Sequence, residues 1–377
     1  MRIKNEEERN VSSKNFSLRP ISSKGGQAAS GGKYQRVRNS KYQYRISCIN
    51  ILRVESKVMT KHIPVLLEEV KEKLHLQKGM VVVDATLGGG GHASMMLAEV
   101  SPTGSVIALD ADQEALDQFQ SVVASDSVLR QASEEGRLVT IQSNYSDMTS
   151  VLGQRGITAV DAILADLGYS SDQIETAERG FSFQEDGPLD MRLDRSTPLT
   201  ARDIVNRYSP ESLAEVLSAF GDESESWRIA QAIVARRSEA PIDTTHELAA
   251  VVTEAYPKRK RALLKIHPAT KTFQALRIAV NEEFQHLESF LGQALDQLAI
   301  GGRLAVIAFH SGEDRRVKQF FKEQATGCVC PPAFPVCRCD RRPRIRLITK
   351  KPVIAGSDEL ARNPRARSAK LRVVEKL

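Results

Sequence analysis

The sequence predicts an α/β fold: an open, mostly parallel sheet with a helical domain inserted late in the chain. Three observations predict it. A glycine turn, Gly88-Gly89-Gly90-Gly91, lies between an apolar run (Met80, Val81, Val82, Val83) and an apolar-periodic segment (Ala93, Met96, Leu97), which reads as strand, turn, helix. From Lys61 onward, strand-like runs alternate with helix-like segments, as in a sheet covered by helices. More than 130 residues separate the fourth and fifth predicted strands, far beyond an ordinary crossover, so a further unit is inserted there.

Strands are expected at 80–84, 105–110, 137–142, 159–166 and 303–309. Two short β-like segments, Arg344–Lys350 and Leu371–Val374, would close one edge of the sheet. The insertion reads as helical. Leu213, Val216, Leu217 and Phe220 recur at i, i+3, i+4, i+7, and Leu248, Val251, Val252 and Ala255 repeat the pattern behind a Thr244-Thr245 cap. Trp227, the only tryptophan, is expected to staple this small core. One helix is expected over 272–287, with an apolar stripe at Phe273, Leu276, Val280, Phe284 and Leu287 beside a polar stripe of Gln274, Arg277 and Asn281. The organisation expected is 1–58 outside the fold, 59–171 and 271–377 forming the two parts of the sheet domain, and 172–270 the inserted substrate-recognition domain.

Residues 1–58 have no sustained period, are rich in Ser, Lys and Arg, and read as a disordered basic tail or as sequence ahead of a true start near Met59. Thirteen Lys/Arg stand there against four Glu, so this stretch carries more positive charge than the whole chain's formal +6 and the remainder is net acidic. Residues 340–377 are basic again, twelve Lys/Arg against four acids, which suits a nucleic-acid partner as well as a solvated surface. With 41% hydrophobic and 27% charged residues the composition is that of a soluble protein, and no apolar run approaches the roughly 20 residues of a membrane span. A cytoplasmic protein is expected.

Five cysteines are too few and too clustered for a secreted disulfide framework. Four of them, Cys328, Cys330, Cys337 and Cys339, form C-x-C-x6-C-x-C around three prolines. A zinc site and a stiffened loop of reduced thiols both fit, and no metal ligand is assigned.

The glycine turn points to a nucleoside cofactor. Glycines let backbone N–H groups approach a ligand that a Cβ would hold away. The second strand ends in Asp110, where a carboxylate can accept both hydroxyls of an adenosine ribose. Gly88-x-Gly90-x-x-Ala93 also satisfies a dinucleotide pattern. Against that, Asp84 stands just ahead of the turn, where it would repel a pyrophosphate, and a positively charged S-adenosylmethionine fits better. The fourth strand ends in Asp166, so Asp84, Asp110 and Asp166 are expected to converge on one crevice from three strand ends.

Several words along the chain belong together: Lys61-His-Ile-Pro-Val-Leu-Leu67, Gly90-Gly91-His92, Asp166-Leu-Gly-Tyr-Ser-Ser-Asp-Gln173, Arg179-Gly-Phe-Ser-Phe183, Gly187-Pro-Leu-Asp-Met-Arg192, His267-Pro-Ala-Thr270, Phe273-Gln-Ala-Leu-Arg-Ile278, Phe309-His-Ser311 and Asn363-Pro-Arg-Ala-Arg-Ser368. From Met59 to the C-terminus the chain resembles the bacterial 16S ribosomal RNA cytosine-N4 methyltransferases, the RsmH or MraW family. The resemblance implies a class I S-adenosylmethionine-dependent methyltransferase fold, Rossmann-like, with an inserted helical domain. It implies transfer of a methyl group to N4 of a cytidine in 16S rRNA of the small ribosomal subunit. By matching motif, Gly90, Gly91, His92, Asp110, Tyr145, Asp166 and Gln173 would hold the cofactor. A delocalised amine needs an acceptor on its protons, and Asp166 is placed either for that catalytic role or for the cofactor alone. Tyr145 would stack on the adenine.

The sequence departs from the family's usual pattern at Tyr169, Asp172, Lys271 and Gly312, where valine, proline, arginine and leucine are usual. Tyr169 is treated as an accessory, and Gly312 is expected to loosen the loop carrying His310. The exposed-looking run Lys258-Arg-Lys-Arg261 is expected to border the site and to meet phosphates or solvent. Two rival readings are an NAD-dependent oxidoreductase, separable by which cofactor binds, and a non-catalytic RNA-binding factor, which would have no reason to keep Asp110, Asp166 and Gly90-Gly91.

Overall fold

The computed structural model describes residues 64–169, 174, 176–330, 338–339 and 341–377. The expected tail, 1–58, lies outside them, as do Gln173 and Cys337.

The chain begins with α1 (Leu67–Leu74), then β1 (Val81–Asp84), α2 (Gly91–Val100), β2 (Ser105–Asp110), α3 (Gln113–Ser125), α4 (Ser127–Glu134), β3 (Leu138–Gln142), α5 (Met148–Gln154) and β4 (Val160–Asp166). Helices α6 (Ala201–Arg207), α7 (Pro210–Gly221), α8 (Ser226–Arg237), α9 (Thr245–Ala255), α10 (Lys258–Arg261) and α11 (Thr270–Val280) follow. The sheet resumes after α12 (Glu283–Gln297) with β5 (Leu298–Ala308), and α13 (Ser311–Ala325), β6 (Ile345–Leu347), α14 (Ser357–Arg362) and β7 (Lys370–Lys376) complete the chain.

Seven strands form one sheet in the order β3-β2-β1-β4-β5-β7-β6. The first five run parallel, and β7 is antiparallel to both its neighbours. The strand order reverses between β1 and β4, the place where an open α/β sheet leaves a crevice beyond its carboxyl ends.

Alternate residues of each strand feed opposite layers, because successive Cβ atoms point to opposite faces. Val82, Val106, Ala162 and Leu164 pack with α1 to α4, through Val70, Met96, Leu97 and Phe119 among others. Val83, Ile107, Ile163 and Ala165 pack against α5, α12 and α13, through Met148, Phe290, Leu291 and Phe321. Buried on both faces, these strands read as continuous apolar runs. β5 starts earlier than its apolar run suggests, since Leu298 already pairs with Val160 before the register jumps to Ala162–Arg303.

A third apolar cluster belongs to the inserted helices, with Leu213, Leu217, Ile229, Ile233, Leu248 and Val252 at its centre. Thr244 caps α9 in a capping box with Glu247, as the sequence suggests. Two expectations need correction. The helix expected over 272–287 breaks at Asn281–Glu282, where Glu282 takes a left-handed φ of 48°. Phe273, Leu276 and Val280 then join the inserted cluster, whereas Leu287 joins the sheet, so the helical core runs beyond residue 270 as far as 280. Trp227 does not staple this core, for it is 47% exposed at the start of α8, where Ile229, Ala230 and Ile233 take the buried positions. Among the described residues no helix is long and apolar enough to cross a membrane.

Candidate active site

A cleft opens at the carboxyl ends of β1, β2 and β4, and is lined by Pro64, the glycine turn, Asp110, Tyr145, Asp166, Tyr169, Leu193, Asn281, Glu283, Glu313 and Arg365 among others. Its empty space, open solvent included, is about 1220 Å³.

The turn after β1 is shaped by close packing. Gly90 has φ +74°, and a Cβ there would sit 2.0 Å from the Phe119 ring; one at Gly91 would sit 2.1 Å from Pro64. Gly88, Gly89 and Gly91 line the cleft, whereas Gly90 turns toward Phe119 and does not. Its glycine is needed to let α2 (whose N-terminus it caps) settle over α3. His92, buried in the first turn of α2, reaches the cleft with Nε2 3.6 Å from Asp166 Oδ2.

Asp110 is held from both sides. Its Oδ2 accepts from the Gly88 amide at 2.8 Å and its Oδ1 from the Asp112 amide at 2.9 Å. Burial raises its pKa to about 6, with those amide bonds pulling the other way. Each oxygen keeps a lone pair for a hydroxyl donor. Asp166 sits at the end of β4, where its own amide donates to Thr86 Oγ1 at 2.6 Å. Burial, then the Glu313 charge, raises its carboxyl to about 8, and among the described residues its buried Oδ1 has no hydrogen-bond partner. An orphaned acceptor facing a cleft is the kind of group a ligand satisfies.

Asp84 does not join them in the cleft. It is fully buried below, its Oδ1 accepting from Thr86 N at 3.2 Å, and burial with the nearby Asp166 and Asp110 charges holds its carboxyl well above the usual range. It braces the turn instead of facing a ligand. Tyr145 begins a single 3-10 turn after β3 and packs edge-on against Phe290, with ring centroids 5.3 Å apart, and more distantly against His286.

The opposite wall is a charged cluster that sequence reasoning largely missed. Arg277 forks onto Glu283 with two bonds of 2.9 Å, and its guanidinium lies 4.0 Å over the Tyr169 ring. The Tyr169 hydroxyl donates to Glu283. Burial pushes the Glu313 carboxyl up, but the His310 hydrogen bond and charge, with Arg277, hold it below its ordinary value. Glu283, His310 and Glu313 offer ligand atoms within 4.8 Å of one another, yet Arg277 and His310 already pair with the two carboxylates. Gly312 does not loosen this loop: His310 and Glu313 form a capping box at the start of α13, and a Cβ at 312 would meet Phe284 at 2.7 Å. The polar stripe Arg277 and Asn281 faces inward, with Asn281 Oδ1 accepting from Leu193 N at 2.7 Å and its Nδ2 donating to Met191 O at 2.8 Å. Arg365 could have been found from its place in the Asn363–Ser368 word; nothing in the spacing around Glu283 marks it. The four basic residues of α10 are outside the cleft, and Lys260 pairs with Glu225.

The sequence model of the MraW methylase family matches residues 59–377. The chain belongs to the MraW methylase family. Among its relatives, the ribosomal RNA small subunit methyltransferase H of Thermomicrobium roseum is 46% identical over 326 residues, covering 86% of this chain and 97% of that one. Its namesake in Geobacter sp. strain M21 is 48% identical over 318 residues, 84% of this chain and 98% of that one. In this MraW-family chain the matched span holds every cleft residue named above, and the tail before Met59 lies outside it.

Proposed function

We propose that this enzyme transfers a methyl group from S-adenosylmethionine to the exocyclic N4 of a cytidine in the 16S rRNA of the small ribosomal subunit. A single observation supports the reading: Asp110 and Asp166, from the ends of β2 and β4 on either side of β1, line one cleft together with the glycine turn that follows β1. The relatives' name supplies the small-subunit RNA. With a ribosomal substrate the enzyme would work in the cytoplasm.

The residues present fit the cofactor. Asp110, pre-oriented by two amides, accepts the ribose hydroxyls; Gly88, Gly89 and Gly91 leave room for close backbone approach; Tyr145 presents an aromatic edge and face beside the adenosine. Asp166 supplies an acceptor, unpartnered among the described residues, to a positively charged ligand. When bound, S-adenosylmethionine supplies the electrophilic methyl group. Gly90 supports the turn from behind, and Gln173 completes the set read from the sequence.

Cytosine N4 is a poor nucleophile because its lone pair is delocalised into the ring. An acceptor aligned with an amine proton favours a pyramidal nitrogen and takes up charge as the new bond forms. Asp166 is the group for this, since even its protonated form keeps a carbonyl oxygen as acceptor. Burial excludes competing water. The Tyr169–Arg277–Glu283 wall is rigid through its fork and stack, and Tyr169 serves as an accessory platform beside the base. The N4 reaction needs no covalent nucleophile.

The decisive experiment incubates the enzyme with labelled S-adenosylmethionine and small subunits from a strain lacking the modification, then maps the labelled nucleotide. Label on the N4 of one cytidine is expected. Label on another nucleotide, or binding of NAD in place of S-adenosylmethionine, would overturn the reading.

A further inference from the structure

The sequence word C-x-C-x6-C-x-C falls between α13 and β6, none of its described cysteines lines the cleft, and the methyl-transfer reading leaves it unused. The structure gathers three of its sulfurs. Cys328, Cys330 and Cys339 offer ligand atoms within 4.8 Å of one another, and Cys328 Sγ lies 3.7 Å from Cys339 Sγ. A disulfide would put two sulfurs about 2.05 Å apart. Thiolates about 2.3 Å from a tetrahedral zinc lie about 3.8 Å from each other.

Packing does not explain the convergence. A buried cysteine behaves as a small hydrophobe, but these three are exposed or half-buried and belong to none of the three apolar clusters. The backbone instead serves the sulfurs. The amide of Val329 points at Cys339 Sγ at 3.5 Å, and the amide of Arg338 at Cys330 Sγ at 3.3 Å. Each strand of the loop thus donates to a sulfur of the other. Amides aimed at sulfur stabilise thiolate, the form that binds metal, and orient it for its metal.

We propose that Cys328, Cys330 and Cys339 bind a structural zinc ion, three sulfurs that define one face of a tetrahedral site. Closely spaced thiolates favour zinc over the hard oxygen-seeking cations. The site pins the loop that carries Arg338, Arg341 and Arg342, so its metal holds a cationic surface in shape and takes no part in methyl transfer. Arg341 is further tied to the end of α13 through the Glu323 carbonyl.

The test uses the full chain, purified without added chelator and analysed for metals. One zinc ion per chain is expected, released in step with titration of the thiols by an organomercurial. The Cys328→Ser/Cys339→Ser variant should keep its circular dichroism and lose the zinc. Should that variant fail to fold, the intact chain reconstituted with cobalt(II) decides: thiolate-to-cobalt charge transfer and intense tetrahedral bands support the site. Substoichiometric zinc with fully reactive thiols, iron or copper in its place, zinc retained by the folded variant, or a cobalt spectrum lacking sulfur charge transfer would each overturn the proposal.

Discussion

The guanidinium of Arg179 lies 3.1 Å from the carboxylate of Asp112, and both side chains are buried. Asp112 follows Asp110 by two residues and caps α3, while Arg179 begins the inserted segment and also holds the carbonyls of Arg192 and Leu193 at 3.1 Å. One ion pair therefore ties the turn that follows Asp110 to the chain that brings Leu193 to the cleft. Removing one member of a buried pair leaves the other charge unsolvated. Arg179→Met is expected to cost about 3–5 kcal/mol of stability, measured by urea unfolding, and to weaken cofactor binding. A loss under about 1 kcal/mol would mean that water reaches Asp112 and replaces the guanidinium.

Asp110→Ala removes an acceptor that two backbone amides orient. Cofactor affinity is expected to fall by about 1.5–3 kcal/mol, the scale of a hydrogen bond involving a charged group. Calorimetry with S-adenosylmethionine reads it, and unchanged affinity would remove Asp110 from the ribose site.

The raised carboxyls set a pH dependence. With Asp166 at about 8 in the folded protein against 3.8 ordinarily, the fold holds a proton that the unfolded chain releases. Its stabilising contribution is complete at acid pH and is lost as pH rises through about 8. Asp166→Asn, which cannot ionise, should therefore raise the melting temperature of the ligand-free protein most on the alkaline side. A positively charged ligand favours the ionised form, so S-adenosylmethionine affinity should rise with pH through about 6, as Asp110 ionises, and again toward about 8. A flat upper limb in the parent enzyme would show that Asp166 does not face the cofactor's charge.

Neutralising Lys258, Arg259, Lys260 and Arg261 together tests the role of α10. All four are exposed, and none lines the cleft. Cofactor affinity should be unchanged and RNA binding weaker. The slope of log affinity against log salt should become shallower by somewhat under one unit for each phosphate that the helix no longer neutralises. An unchanged slope with unchanged methylation would make α10 a solvated face and direct attention to the basic stretch 341–372.

A chain beginning at Met59 is expected to fold and to methylate as the full chain does, because the family match starts there. Lost solubility or activity would assign the preceding residues a structural or substrate-binding part.

Local pattern alone determined the strands, the glycine turn and the carboxylates at strand ends. A strand buried on both faces must be apolar along its length, so Val81–Val83, Val106–Leu109 and Ala162–Ala165 announce themselves, and a chain leaving such a strand exposes its next side chain to the crevice. Asp110 and Asp166 were legible for that reason. Tertiary structure decided what those residues meet. Nothing in the spacing of Asp84 says that it lies under the cleft while Asp110 and Asp166 face it, nor that Gly90 packs against the Phe119 ring. The apolar stripe from Phe273 to Leu287 looked continuous because periodicity records an apolar face and not the partner it packs against. Only the folded chain divides it, sending Phe273 and Val280 to the inserted helices and Leu287 to the sheet, and the break at Glu282 delivers Glu283 to Arg277 and Tyr169. Contacts between elements far apart in sequence depend on how each crossover returns, and a one-dimensional period carries no record of that.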